Sequence, residues 1–238
     1  MPKKKTFDFC GEPPKVLERF PFYGFELDDD QLAFANAIWS PDYDIIFCNS
    51  PSGTGKTQVA VGVANMLVQY GRYDGILGIV SPCEESRQGY LPGDITQKSS
   101  VYFEPFYQAM IECGMNPDLV ISDESLTNDK NGTAYVKLIT HTYTRGSSFK
   151  NRVVIMDEFQ NFAFRDAKKI LTRCGDSTKV IVCGHDGQCD LEDPAQSGFI
   201  PYLKHFAPEK RCAVCTLSTN HRGWVSSHAD ALSFHAQI

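Results

Sequence analysis

The sequence predicts an α/β fold with a doubly wound, mostly parallel sheet. Three observations carry that prediction. Apolar runs at 45–48, 75–80, 153–156 and 179–184 do not alternate with polar residues, the pattern of strands covered on both faces. Stretches with helical spacing separate them. The first run also passes through a glycine-rich turn straight into a helix, in DIIFCNSPSGTGKTQVAVGVANMLV at 44–68.

Taken in order, residues 1–26 are rich in Pro, Phe and charge without periodicity and read as an extended arm; 27–238 read as one domain. Asp28, Asp29 and Asp30 are start signals for a helix over 27–40, in which Leu32, Ala35, Ile38 and Trp39 recur at helical spacing. The strand 45–48 follows, then a helix from Thr57 to Tyr70 that is apolar nearly all round. Gly71 ends it, and 75–80 is the next buried strand. The turn-rich stretch 89–94 precedes a helix over 101–113, broken at Gly114 and Pro117. Residues 118–135 are polar, with a surface excursion at 128–132, and 135–143 holds a short strand. The strand 153–156 is followed by a helix closing over 168–174, the strand 179–184, and a last strand over 212–217. The loops after Cys48, Val80, Met156, Cys183 and Leu217 then gather at the carboxyl ends of the strands, where parallel sheets bind ligands.

The glycine loop is the strongest of these. Strand, loop and helix in that order form the context in which G-x-x-x-x-G-K-[ST] cradles phosphate. Gly53 and Gly55 let backbone amides point inward, and the helix start adds unpaired amides and the positive end of its dipole. Lys56 would reach the β- and γ-phosphates, and the Thr57 hydroxyl a Mg²⁺ ion. Ser50 stands at the first position instead of Gly, which requires a negative φ there. The plainer alternative is an ordinary glycine turn before a buried helix. Gln31, one short element earlier, offers an amide donor and acceptor suited to an adenine edge; otherwise it is an ordinary helix residue.

ATP hydrolysis needs a divalent ion, a positioned water and positive charge against the γ-phosphate. Asp157, after an apolar strand, is the expected Mg²⁺ partner, and Glu158 the base or orienter of the attacking water. Without a phosphate loop, the same two carboxylates would read as a helix cap. Gln188 is placed to sense the γ-phosphate from the end of its own strand. Arg145, Arg173 and Arg222 are the candidates for a charge-stabilising arginine.

Composition bounds the rest. The 238 residues are 42% hydrophobic and 22% charged, enough for one α/β domain with a full core. A net charge of −6 argues against bulk electrostatic binding of nucleic acid, so such a surface must be local. No apolar run spans a bilayer, and Lys3, Lys4 and Lys5 form a solvated tail with no apolar segment behind it; a cytoplasmic protein without membrane contact is expected. Cys48, Cys83 and Cys183 read as small buried residues. Cys212 and Cys215 have C-x-x-C spacing, but no second pair answers them, and an odd count of nine favours free thiols.

On the segments SPSGTGKTQVAV, GYLPGDITQKSSVYFEPFYQAM, TRGSSF, VVIMDEFQN, ILTRCG and KVIVCGHDGQCDL, the chain resembles the PhoH-like ATPases, whose nucleotide core is similar to that of superfamily 1 helicases. The likeness runs from about Gln31 to Arg222. It implies a RecA-like P-loop NTPase using ATP and Mg²⁺. The implied nucleotide contacts are Gln31 and Ser50, Pro51, Ser52, Gly53, Thr54, Gly55, Lys56, Thr57 and Gln58. Thr57 and Asp157 would hold the metal; Glu158, Gln188 and Arg222 would act in catalysis; Gln160 and Asn161 complete the acidic motif. The resemblance also implies RNA or single-stranded DNA as partner and a homo-oligomer, with a hexameric ring as one form. Three departures stand out: Ser50 for Gly, His185 where the family has Asp, and Ser81 where it has Arg before Pro. A nucleotide-gated regulatory module with weak turnover is the alternative function. A small-molecule kinase is disfavoured by Glu158 beside Asp157, which suits activation of water.

Overall fold

The computed structural model describes residues 9, 11–82, 101–122, 132–143 and 148–230. The LPGD stretch, Cys83 and Arg145 lie outside the described residues. Among the described residues six strands form one sheet, parallel throughout: β1 (Ile45–Asn49), β2 (Gly75–Val80), β3 (Val136–Thr140), β4 (Arg152–Met156), β5 (Lys179–Gly184) and β6 (Cys212–Cys215), in the order β3-β2-β4-β5-β1-β6. The predicted parallel α/β sheet is therefore the one observed. The order also places β5 between β1 and β4, as the helicase-like core implies.

The strands are apolar on both sides because each face has its own helical layer. On one face Ile46, Cys48, Ile181 and Cys183 pack under α1 (Asp29–Trp39), α2 (Lys56–Gln69) and α3 (Glu104–Glu112). On the other, Phe47, Val154, Met156 and Val182 meet Phe159, Phe162, Ala167, Ile170 and Phe199. Phe159 lies in a 3-10 turn (Phe159–Asn161) and Phe162 caps it, while the others come from α5 (Phe164–Leu171) and α6 (Phe199–Phe206). A short α4 (Pro117–Val120) and a terminal α7 (Trp224–Asp230) complete the helices named here.

Boundaries differ from the sequence reading in ways packing explains. The stretch 101–113 opens as a 3-10 turn before α3 begins at Glu104. The helix placed at 168–174 starts earlier, at Phe164, and its Ala167 and Ile170 face the sheet. Residues 11–27, with no readable periodicity, run across α1 and α2. Trp39 Nε1 donates to Pro14 O, Tyr23 Oη donates to Gly62 O, and the Phe22 ring lies where a Cβ at Gly62 would stand. Contacts so far apart in sequence leave no local pattern.

Candidate nucleotide site

The loop between β1 and α2 is shaped by two glycines. Gly53 and Gly55 adopt φ of 79° and 83°, backbone that a side chain strains. A Cβ at Gly53 would lie 2.9 Å from Asn220 Oδ1, and one at Gly55 2.7 Å from Gln31 Nε2. Ser50 has no positive φ, which is how a serine fits the first position. Its N–H donates to Gly184 O (3.0 Å), binding the loop's start to the end of β5. Lys56, 8% exposed, donates from Nζ to Ser50 O (2.7 Å) and Pro51 O (2.8 Å). Its ammonium thus closes the ring of the loop, with Thr54 Oγ1 bonded to Pro51 O across the base. Thr57 and Gln58 follow in the first turn of α2.

Gln31 is buried, and its amide is engaged. Nε2 donates to Thr54 O (3.0 Å), while Oε1 accepts the Asp28 N–H as half of the capping box of α1. One helix start is thereby fixed against the phosphate loop.

The acidic pair stands across from the loop. Thr57 Oγ1 donates to Asp157 Oδ2 at 2.8 Å, a contact made possible by β5 lying between β1 and β4. Burial, then the charge of Glu158, push the Asp157 carboxyl up to about 6; the Thr57 bond and Lys56 oppose the rise. Glu158 is exposed, with φ of 50°, a left-handed conformation costing a non-glycine residue roughly 1–3 kcal/mol. Gln160 holds its side chain: Nε2 donates to Glu158 Oε2 (2.6 Å), and Oε1 accepts the His185 N–H (3.0 Å). Asn161 Nδ2 donates to Asp190 Oδ2, and the Asp190 N–H donates back to Asn161 Oδ1. The loop 185–190, carrying exposed Gln188, is therefore clamped at both ends by the two residues after Phe159. The His185 departure leaves this wiring intact, since only its backbone N–H and C=O (to Gln188 N) enter it.

The segment after β6 supplies the rest. His221 N–H donates to Gly53 O (2.9 Å), Asn220 Nδ2 to Ser52 O (3.2 Å) and Arg222 Nη1 to Ser52 Oγ (2.8 Å). His221 Nε2 meets Asp28 Oδ2 at 3.0 Å, and Ser218 N–H donates to Asp30 Oδ2. Arg222 thus lies on its own chain's loop. Arg173 lies at the opposite end of the sheet, where the Phe149 N–H meets its carbonyl before β4 begins. Sequence reasoning missed Asn220, His221, Asp28 and Asp30 as the clasp around the loop. The available signal was their position: the first turn of α1 and the turn after the last strand both border the loop in a parallel sheet. Cys212 and Cys215, three apart in a strand, fall on opposite faces, and among the described residues no group of His, Cys, Asp and Glu has metal-binding geometry.

The family model described as PhoH-like protein matches residues 26–224. The chain belongs to the PhoH-like family. Relatives include protein PhoH of Escherichia coli K12, 29% identical over 197 residues, covering 79% of this chain and 51% of the relative. The PhoH-like protein of Synechocystis is 33% identical over 161 residues, covering 66% of this chain and 45% of the relative. The chain thus spans about half the length of the curated PhoH-like relatives it matches. Among solved structures, the large terminase of bacteriophage HK97 superposes with a TM-score of 0.51 at 14% identity, over 87% of this chain and 43% of the other. The UvsW helicase of bacteriophage T4 does so at 0.50 and 15%, over 81% and 60%. At such identities the likeness is one of fold alone. Among the described residues no helix is long and apolar enough to cross a membrane.

The PhoH-like site fits a nucleotide phosphate and a hard divalent cation. Its loop keeps Gly53 and Gly55 in left-handed backbone directly before the start of α2, where unpaired amides suit an anion, and its metal-side donors, Thr57 and Asp157, are oxygens. Mg²⁺ takes one or two such protein ligands and completes its shell with water and phosphate. The Asp157 carboxyl gives a pH test without Mg²⁺. Its folded value, about 6, exceeds the ordinary 3.8, so the folded state holds a proton between those values that the unfolded state has lost. That stabilisation is present below about pH 4 and disappears as pH rises through about 6. Thermal midpoints of wild type should fall relative to Asp157→Asn between about pH 4.5 and about pH 7.5, and added Mg²⁺ should shrink the difference. Parallel curves would remove the buried-acid assignment.

Proposed function

We propose that this PhoH-like chain hydrolyses ATP with Mg²⁺ and couples hydrolysis to work on RNA or single-stranded DNA. The observation that carries the ATPase part is the bond between Thr57 and Asp157, which brings phosphate loop and acidic pair to one point. Lys56 exchanges its bonds to Ser50 O and Pro51 O for phosphate oxygens. Thr57 and Asp157 would hold a Mg²⁺ ion, which would supply charge neutralisation for the phosphates. Glu158 accepts a proton from the attacking water, with its carboxylate aimed by Gln160 and Gln188 carried on the clamped loop. Arg222 places a guanidinium beside the loop to meet charge developing on the transferred phosphoryl group.

Arg222→Ala should lower kcat roughly 10²-fold with ATP affinity within a few-fold of wild type. Because Arg222 bonds to Ser52 of its own chain, mixing Arg222→Ala with Lys56→Ala protein should restore no activity. Rescue would place the arginine across a subunit boundary, and wild-type turnover in Arg222→Ala would remove it from the mechanism.

The nucleic-acid part and a homo-oligomeric, ring-like assembly rest on the motif resemblance to the superfamily 1 helicase core. Phosphate release is to be measured with and without RNA and single-stranded DNA oligonucleotides, alongside solution mass. Stimulation by one of them supports the reading; robust turnover indifferent to both rejects it. A second reading, a nucleotide-gated module with weak turnover, draws support from the Glu158 carboxylate being already bonded to Gln160 at 2.6 Å.

A further inference from the structure

We propose that Ser50, which stands where the phosphate-loop pattern has glycine, is a positioning residue. Its hydroxyl sets residues 217–222, and through them Arg222, against the loop. The functional half rests on the role given to Arg222 above.

β6 pairs with β1 as far as Cys215 opposite Cys48. β1 stays in the sheet one residue longer, with Asn49 opposite Gly184, before its chain forms the phosphate loop, and its ladder with β6 ends before Leu217. Leu217 is fully buried, and water cannot serve its amide in place of a strand carbonyl. A buried N–H without an acceptor is strongly disfavoured. Ser50 Oγ provides that acceptor, 2.6 Å from Leu217 N, and Ser50 is itself only 1% exposed. Glycine has no atom to offer there.

Ser50 is also fixed from its other side. Its N–H is bound to Gly184 O, and its carbonyl receives Lys56 Nζ. The hydroxyl therefore transmits the position of the loop's rigid base to the segment that follows β6. Four residues further on, that segment meets the loop again through His221 N–H to Gly53 O. Between and beyond these anchors, Asn220 accepts the Arg222 N–H at Oδ1 (2.8 Å) and donates to Ser52 O. The Arg222 side chain then lies across Gly53, its Cδ 3.0 Å from where a Cβ would be. With no room for a Cβ between them, Arg222 and Gly53 are packed together, and a shift at Leu217 reaches the guanidinium through the bonds of Asn220 and His221.

The test uses the full chain with Ser50→Ala, and reads amide hydrogen exchange without nucleotide, kcat at saturating ATP, and affinity for a fluorescent ADP analogue. Exchange at residues 217–222 should rise at least ten-fold while β1 and β5 keep their protection. The kcat should fall about ten-fold, and ADP-analogue affinity should change less than three-fold. In an Arg222→Ala background, Ser50→Ala should lower kcat by less than two-fold more, because the arginine through which it acts is gone. Should Ser50→Ala not fold, Ser50→Gly, the motif's own residue, is read in the same way. Unchanged exchange at 217–222 overturns the proposal, as does an undiminished ten-fold loss in the Arg222→Ala background. Wild-type turnover in Arg222→Ala refutes the arginine's role instead, and the exchange result still decides whether Ser50 holds the segment.

Discussion

Lys56→Ala is expected to abolish tight ATP binding. The Nζ is nearly buried and bonded to the carbonyls of Ser50 and Pro51, so it is held inside the loop before any phosphate arrives. Triphosphate oxygens entering that space would lose their main protein counter-charge while still shedding water. Removing one partner of such a buried charge contact costs about 3–5 kcal/mol, or roughly 10²–10⁴-fold in affinity. Calorimetry with ATP and Mg²⁺ measures it, with a thermal melt to verify that the variant folds. Unchanged affinity in a folded variant would refute the phosphate-loop assignment.

Glu158→Gln should leave ATP bound and slow hydrolysis by roughly 10²–10⁴, the scale of losing a general base. The substitution is a clean one. The amide that replaces the carboxylate keeps an oxygen for Gln160 Nε2 to bond, so the clamped loop 185–190 should stay in place while basicity alone is lost. Asp157→Asn should instead weaken the dependence on Mg²⁺, since Asp157 and not Glu158 is bonded to Thr57. Single-turnover hydrolysis separates the two. A Glu158→Gln variant that turns over like wild type would make the carboxylate structural.

These expectations draw on features legible in the chain to different degrees. The strands are legible because burial on both faces leaves unbroken apolar runs, as in 153–156 and 180–183. The phosphate loop is legible because Gly53, Gly55, Lys56 and Thr57 follow one another within five residues. What joins Asp28 to His221, or Ser50 to Leu217, is not: those pairs lie 193 and 167 residues apart, and neither contact produces a local period. The 164–171 helix starts ahead of its sequence signal because its N-terminal residues Phe164 and Arg165 are exposed and the apolar face shows only at Ala167 and Ile170. α6, with Pro201 in its first turn, carries little helical signal of its own, and it forms by packing Phe199 against Phe159. The role of Ser50 stays hidden for the same reason as the clasp. A serine in a glycine's place signals a departure, but only the fold reveals which buried amide it serves.

The central claim is that loop, acidic pair and arginine within this one chain form a site that splits ATP with water. The most direct measurement is phosphate release from ATP by the purified chain, with no acceptor added, in the presence and absence of Mg²⁺. The account predicts multiple turnovers that require Mg²⁺ and are lost in Glu158→Gln. ATP that binds with Mg²⁺ yet yields no phosphate above the Glu158→Gln level would contradict it.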